Sequence, residues 1–146
     1  MKTVLLVHDH QENPHERKQQ IEASGYAVEL LQRSDECLAR LEHARPDLLM
    51  IDVLLEGQNG FELCRRVREK YPAAELPIVL SSRVYVDERY YHEAEGSGAQ
   101  AYMIRPLPVR ELVRTVHRWA RQGAASWPTN GAAAEPSSSR VEQSAT

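Results

Sequence analysis

Short apolar runs alternate with amphipathic segments about five times along the first 122 residues of the chain. The predicted strands lie at residues 4–7, 27–31, 48–51, 77–80 and 102–104, and the second of them is interrupted by Glu29. Each run has the length of a strand, and a strand that is apolar throughout is typical of a sheet buried on both faces. Strands that alternate with helices predict an α/β fold, namely a doubly wound, five-stranded parallel sheet with helices on both faces.

The amphipathic segments between the runs predict helices. Asn13 and Pro14 are typical of a helix start, and Ser34 is a candidate N-cap for the next helix. Residues 85–95 predict a poorer helix, because they are rich in polar groups and tyrosines. A last helix is predicted over residues 109–119, where apolar side chains recur at helical spacing.

The composition changes at Gly123, beyond which Ala, Ser, Pro, Gly and Thr predominate. A segment of this kind cannot bury enough apolar surface to offset the entropy lost on ordering it. We therefore expect one folded domain over residues 1–122 and a disordered, low-complexity C-terminal tail over residues 123–146.

Length, charge and cysteine content narrow the class of protein. The 146 residues fit one domain, and no apolar run is long enough to span a bilayer. We expect no export, because the apolar stretch at residues 4–7 is too short for a secretion signal. Cys37 and Cys64 lie in separate helical patterns and form no CxxC motif. The net charge of −3 lacks the basic excess that binding to a phosphate backbone requires. We expect a cytoplasmic protein that binds neither nucleic acid nor membrane.

Polar side chains collect directly after the predicted strands. They are His8, Asp9, His10, Asp52, Ser81, Ser82 and Arg105. In open parallel sheets, ligands bind beyond the carboxyl ends of the strands. Carboxylates bind Mg²⁺, while a hydroxyl and a cation neutralise phosphoryl oxygens, so this combination indicates a phosphoryl site. Asp52, between a buried strand and a loop, is the candidate nucleophile that would form an aspartyl phosphate.

The ordered set of motifs resembles the receiver domain of two-component response regulators, over residues 2–121. The motifs are an acid after the first strand, Asp52 followed by a loop that reaches Gly60, a strand that runs from Pro77 to Ser82, and the sequence Tyr102-Met103-Ile104-Arg105-Pro106. Any one of these motifs would be weak evidence alone. The specificity comes from their order.

The resemblance implies a fold and a set of roles. It implies a flavodoxin-like strand order 2-1-3-4-5 and a cis peptide bond before Pro106. The implied catalytic residues are Asp52 as phosphoacceptor, Ser82 and Arg105; the implied metal ligands are Asp9, Asp52 and the backbone carbonyl of Leu54; and the implied switch residues are Ser82 and Tyr102.

Three residues depart from the family pattern. His8 stands where the family has its first acid, Glu56 where it has a loop proline, and Arg105 where it has a lysine. Imidazole is a poor ligand for a hard, octahedral cation. We expect His8 to weaken Mg²⁺ binding or to abolish it, and we leave its own role as a ligand open. A zinc or copper site made by His8, His10 and Asp9 is a further alternative.

Two functions remain in view. The first is a stand-alone response regulator, not an enzyme, that is phosphorylated on Asp52 by a sensor histidine kinase or phosphotransfer protein and acts on an unknown downstream protein. The second is a phosphorylation-independent pseudo-receiver, in which charged His8 and Arg105 replace the metal's charge. An FMN-binding flavodoxin is disfavoured, because acids stand where a phosphate-binding loop is needed.

A partner face is predicted on the last two helices, at Tyr90, Tyr91, Arg110 and Arg114. Tyrosines on a weak, polar helix are not explained by core filling alone, and exposed tyrosines are common at protein interfaces. A half-buried amphipathic helix would explain the same residues. We expect a monomer or a weak homodimer.

Overall fold

Strands and helices alternate without exception in the computed structural model, which describes residues 1–121. The strands are β1 (Thr3–Val7), β2 (Ala27–Leu31), β3 (Leu48–Asp52), β4 (Ile78–Ser82) and β5 (Ala101–Ile104). The helices are α1 (His15–Ala23), α2 (Ser34–Leu41), α3 (Gly60–Lys70), α4 (Glu88–Ser97) and α5 (Val109–Ala120). All pairings are parallel, in the order β2-β1-β3-β4-β5. The predicted fold class and strand order are confirmed.

Alternate side chains of the central strands supply two separate cores. Leu5, Leu49 and Ile51 face one core, into which α2, α3 and α4 pack. Val4 and Leu6 face the other core, which α1 and α5 cover. Because β1, β3 and β4 are apolar towards both cores, they are the continuous apolar runs of the sequence.

Two local predictions at helix starts were wrong. Ser34 does not cap α2 but is its first residue, and its buried hydroxyl accepts a hydrogen bond from the backbone N–H of Gln58. The fourth helix begins at Glu88 and not at residue 85, because the side chain of Asp87 caps it by accepting from the N–H of Arg89. In each case a polar side chain near the start of the helix has a hydrogen-bond partner that only the folded structure shows.

The connection between β1 and α1 shapes the site. It spans residues 8–14, and α1 begins at His15, whose N–H donates to the side chain of Asn13. Arg17 therefore lies in the first turn of α1. The expected domain boundary at residue 122 and the expected tail over residues 123–146 lie outside the described residues. Within residues 1–121, no helix combines the length and hydropathy that a membrane span needs.

Candidate functional site

The carboxyl ends of the strands meet at one edge of the sheet, because all five strands run in the same direction. Asp52 ends β3 beside Ser81 of β4, and Ser82 ends β4. The segments after β1 and β5 bring Asp9 and Arg105 to the same edge. The cleft that they share is lined by Asp9, Glu12, Asp52, Leu54, Ser81, Ser82, Arg83 and Arg105.

Asp52 is the centre of this cleft, with only 1% of its surface exposed. Its Oδ2 accepts from the N–H of Asp9 at 2.9 Å, and its Oδ1 accepts from the hydroxyl of Ser81 at 2.8 Å. The guanidinium of Arg17 donates to both oxygens, from Nη1 to Oδ1 at 3.0 Å and from Nη2 to Oδ2 at 2.8 Å. Nη2 of Arg105 lies 3.4 Å from Oδ1. A carboxylate has about four acceptor positions, and these protein donors take up all of them.

These contacts also keep Asp52 ionised. Burial by itself disfavours the charged form, but the hydrogen bonds and charge of Arg17, the charge of Arg105 and the N–H of Asp9 together outweigh it. The pKa of Asp52 is consequently lower than that of an ordinary aspartate. At neutral pH the carboxylate needs no base to become a nucleophile.

Arg17 is a site residue that the sequence did not single out. It lies among His15, Glu16 and Lys18, a run that is typical of a solvated helix face. Its side chain is nevertheless only 11% exposed, whereas Lys18 forms an ordinary surface pair with Glu22. The local pattern contains no signal that separates the two cations, because only the packing of α1 against the sheet decides which one reaches Asp52.

Arg105 links Asp52 to a second carboxylate that the sequence did not assign. It is 8% exposed, and its Nε donates to the hydroxyl of Ser81 at 3.1 Å. Its Nη1 and Nη2 donate to Glu12 at 2.5 and 3.0 Å, and Arg83 pairs with Glu12 at 2.9 Å. Burial opposes the charge of Arg105, but Glu12 and Asp52 outweigh it and raise the pKa of its guanidinium. The peptide bond between Arg105 and Pro106 is cis, as the resemblance implied.

The two serines have different contacts from those expected. Ser81, and not Ser82, donates its hydroxyl to Asp52 in this structure. The hydroxyl of Ser82 accepts from the N–H groups of Val84 and Tyr85, at 3.0 and 2.9 Å, and so holds the turn after β4. Ser82 still lines the cleft, but the hydroxyl that is hydrogen-bonded to Asp52 belongs to its neighbour Ser81.

Tyr102 of β5 is hydrogen-bonded to the turn that follows β4. Its hydroxyl donates to the backbone carbonyl of Tyr85 at 2.5 Å, and its ring lies against Phe61 and, edge-on at 5.2 Å, against Tyr91. Burial raises the pKa of Tyr102 to about 12, so the hydroxyl remains a donor at neutral pH. The ring is buried in this conformation, with its hydroxyl bonded to the turn after β4.

The two histidines after β1 diverge. His8 is buried, with Nδ1 at 3.1 Å from the carbonyl oxygen of Asp9, and its ring lines a separate open cleft of about 340 Å³. His10 lies at the rim, 3.7 Å from the carboxylate of Asp9 and 3.5 Å from that of Glu56. Across residues 1–121, no three His, Cys, Asp or Glu side chains are placed to hold a metal ion together. The cations that contact Asp52 are the guanidinium groups of Arg17 and Arg105.

The implied magnesium ligands do not fit Mg²⁺ in this arrangement. Both oxygens of Asp52 are bonded to Arg17, and Oδ1 of Asp9 accepts from the N–H of Gln11 at 2.9 Å. The backbone of Leu54 reaches the same cleft, but the cleft leaves no space for a water molecule. Mg²⁺ requires six oxygen ligands and usually keeps several waters. A cation could enter only after Arg17 had moved.

The residues of the predicted partner face are partly exposed. Tyr91 is 44% exposed, whereas Tyr90 is half-buried and its ring packs against Phe61 and Tyr85. Arg110 and Arg114 are exposed on α5, where Arg114 pairs with Glu111. Because α4 and α5 cover opposite faces of the sheet, the two pairs of residues flank the edge strand β5.

Comparison with known proteins supports one family. The sequence model of the response regulator receiver domain family matches residues 4–117 of this chain. The phosphate regulon transcriptional regulatory protein PhoB of Rhizobium meliloti is 37% identical over 103 residues, which are 70% of this chain and 44% of PhoB. This chain spans about half the length of the curated relatives that it matches.

Solved structures show the same fold. A response regulator structure from Chloroflexus aurantiacus superposes with a TM-score of 0.74 at 30% identity, over 82% of this chain and 98% of the other. The receiver domain of the sensor histidine kinase PA1611 from Pseudomonas aeruginosa, determined with a magnesium ion in its active-site cleft, has a TM-score of 0.73 at 22% identity, over 82% and 98% of the two chains. By its family match, its relatives and its fold, this chain belongs to the response regulator receiver domain family.

Proposed function

We propose that this receiver domain accepts a phosphoryl group on Asp52, from a sensor histidine kinase or a phosphotransfer protein, and signals by binding a partner protein. The observation that carries the proposal is the surroundings of Asp52. A buried, ionised carboxylate ends a central strand, with the hydroxyl of Ser81 and the guanidinium of Arg105 beside Oδ1. Such groups stabilise the charge that develops on a transferring phosphoryl group.

The proposed reaction transfers one group. A carboxylate oxygen of Asp52 attacks phosphorus and forms a new P–O bond, while the bond from phosphorus to the donor breaks and the donor leaves with that electron pair. Arg105 and Ser81 then contact phosphoryl oxygens in place of the carboxylate oxygen that they contact now. Arg105 remains held by Glu12 throughout, so its position requires no rearrangement.

Magnesium remains a proposed cofactor of this domain, and we propose that it binds weakly. Two features support weak binding. His8 replaces an acid at the end of β1, and Arg17 covers the Asp52 carboxylate.

Phosphorylation is tested by incubating the full chain with acetyl phosphate and MgCl₂ and following its intact mass over an extended time course. We expect an adduct with the mass of one phosphoryl group, which is absent from an Asp52→Asn variant and maps to the peptide that contains Asp52. Reduction of the acyl phosphate with borohydride before digestion marks the modified residue.

The contradicting result would be no adduct on Asp52, both in the wild-type chain and in a variant whose Asp52 carboxylate has been freed from Arg17. That outcome would favour the phosphorylation-independent interaction module. An adduct that persisted in Asp52→Asn would instead place the acceptor elsewhere in the chain.

A further inference from the structure

We propose that Arg17 is a built-in counter-cation of Asp52, which occupies the acceptor and must leave before a divalent cation or a phosphoryl donor can reach it. The part of this proposal that concerns cations depends on geometry and charge alone, whereas the part that concerns phosphoryl transfer rests on the proposed function.

The geometry of the pair makes the competition direct. The two terminal nitrogens of Arg17 face the two oxygens of Asp52, at 3.0 and 2.8 Å, in the forked arrangement that guanidinium and carboxylate groups form best. A metal ion or a phosphorus atom must approach one of these oxygens. With the N–H of Asp9 and the hydroxyl of Ser81 on the remaining positions, neither oxygen has a direction left for it.

The charges of the cleft lead to the same conclusion. Three carboxylates and three guanidinium groups lie in or beside the cleft, and the guanidinium groups pair with the carboxylates of Asp52 and Glu12. The carboxylates belong to Asp9, Glu12 and Asp52, and the guanidinium groups belong to Arg17, Arg83 and Arg105. The formal charges balance without any metal. Adding a divalent cation would leave two uncompensated positive charges at a largely buried site, so a cation of the cleft has to be released.

Of the two cations that contact Asp52, Arg17 has the fewer partners. Both of its hydrogen bonds go to Asp52. Arg105, in contrast, is held by Ser81 and by two hydrogen bonds to Glu12, and Arg83 lies at the rim. Release of Arg17 breaks one pair, whereas release of Arg105 would break contacts with three residues.

The position of Arg17 on α1 makes its release feasible. The residue lies in the first turn of the helix, whose N-cap residue is Pro14 and where the side chain of Asn13 accepts one hydrogen bond, from the N–H of His15. Residues 8–14, which precede the helix, connect it to β1 without regular secondary structure. Rotation of one long side chain would open the carboxylate and leave the sheet unchanged.

The test compares cation binding by the wild-type chain and by an Arg17→Gln variant, with Mg²⁺ as the titrant in isothermal titration calorimetry and Mn²⁺ in a parallel spin-resonance titration. We expect the variant to bind either ion roughly tenfold to a hundredfold more tightly, since a charge-assisted pair no longer competes. The matched control is Lys18→Gln, which removes the adjacent cation of the same helix and should match the wild type. Circular dichroism establishes that each variant is folded. Equal affinity in Arg17→Gln and the wild type would overturn the proposal.

A measurement on the wild-type chain keeps the proposal testable if Arg17→Gln does not fold. The side-chain Nε–H signal of Arg17, assigned by its absence from Arg17→Lys, should shift and exchange faster with water when MgCl₂ is added. The signal of Arg105 should change little. A Mg²⁺ complex in which the Arg17 signal stays unchanged, while the amide signal of Asp9 responds, would refute the displacement.

Acetyl phosphate separates this proposal from the proposed function. If both hold, Arg17→Gln acquires the Asp52 adduct faster than the wild type and than Lys18→Gln. Tighter cation binding without any adduct would support the counter-cation and contradict the phosphoacceptor. Equal cation binding with equally fast adducts in both proteins would overturn the counter-cation and leave the phosphoacceptor standing.

Discussion

At the scale of single residues, the central feature is a carboxylate that stays charged inside the protein. Isolated burial of an ionised Asp would be costly, and the usual response is a raised pKa. The pKa of Asp52 is lowered instead, because two guanidinium groups, one hydroxyl and one backbone N–H contact its carboxylate. The donors that stabilise the charged form of Asp52 also occupy the lone pairs of its oxygens. The contacts that keep the carboxylate ionised therefore also restrict access to it.

The lowered pKa of Asp52 predicts acid sensitivity. Because its pKa is lower in the folded protein than in the unfolded chain, the unfolded chain takes up the proton first as the pH falls. The contribution of Asp52 to stability is therefore complete above about pH 4, near the unfolded pKa, and is lost as the pH falls towards the folded pKa. Urea unfolding over a pH series should show a steeper acid loss of stability for the wild type than for Asp52→Asn.

Asp35 offers a control for this measurement. Its pKa is also lowered, chiefly by its hydrogen bond to Arg33, but both side chains lie at the surface and solvent screens the pair. Asp35→Asn should therefore follow the wild-type pH profile. Parallel acid slopes for the wild type and Asp52→Asn would show that the buried carboxylate is not held in its charged form.

At the scale of elements, the first residue of α3 lies directly against the backbone at the end of β3. The N–H of Gly60 donates to the carbonyl of Val53 at 2.8 Å. A Cβ atom at position 60 would lie 2.7 Å from the backbone oxygen of Asp52 and 2.8 Å from Cα of Val53. These are backbone atoms of the segment that carries the carboxylate of Asp52, so a side chain at position 60 would displace the site itself.

The different surroundings of Gly60 and Gly96 predict opposite effects on stability when each glycine is replaced by alanine. Gly60→Ala should destabilise the protein by about 1–3 kcal/mol, because the crowded backbone must shift. Gly96→Ala, inside α4 where a Cβ meets nothing within 4 Å, should stabilise it by roughly 0.5–1 kcal/mol through the better helix propensity of alanine. Urea midpoints of the two variants would decide the matter, and a neutral Gly60→Ala would show that the end of β3 is compliant.

At the scale of the whole molecule, contacts run from the cleft to the partly exposed Tyr91. The hydroxyl of Ser82 accepts from the N–H of Tyr85, whose carbonyl accepts from the hydroxyl of Tyr102. The ring of Tyr102 meets the ring of Tyr91 edge-on. A rearrangement around Ser81 and Ser82 would therefore change the edge of the sheet between α4 and α5, where the sequence predicts a partner face.

This route predicts where amide hydrogen exchange changes when Asp52 is modified. Acetyl phosphate with MgCl₂ should alter exchange in residues 83–98 and in β5, because the turn after β4 depends on Ser82. Exchange in α2, which makes no contact with that turn through these groups, should remain as before. Asp52→Asn is the control and should show no change in either region. Equal changes in α2 and α4 would argue against a route through Tyr85 and Tyr102.

The sequence by itself determined the architecture. Continuous apolar runs predict doubly buried parallel strands, and parallel strands bring their carboxyl ends to one edge, so the positions of Asp9, Asp52 and Arg105 along the chain suffice to place them together. The order of the motifs indicated the family, which the comparisons confirmed. These inferences succeeded because backbone periodicity and strand direction constrain position to within a residue or two.

Only the tertiary structure decided which side chains complete the site. Ser81 rather than Ser82 bonds to Asp52, Glu12 holds Arg105, and Arg17 rather than His8 supplies the facing charge. Each outcome depends on the orientation of a flexible side chain across elements far apart in the chain, and no local pattern encodes it. Arg17 and Lys18 are neighbouring cations on α1 that look alike in sequence, yet the packing of that helix buries Arg17 against Asp52 and leaves Lys18 at the surface.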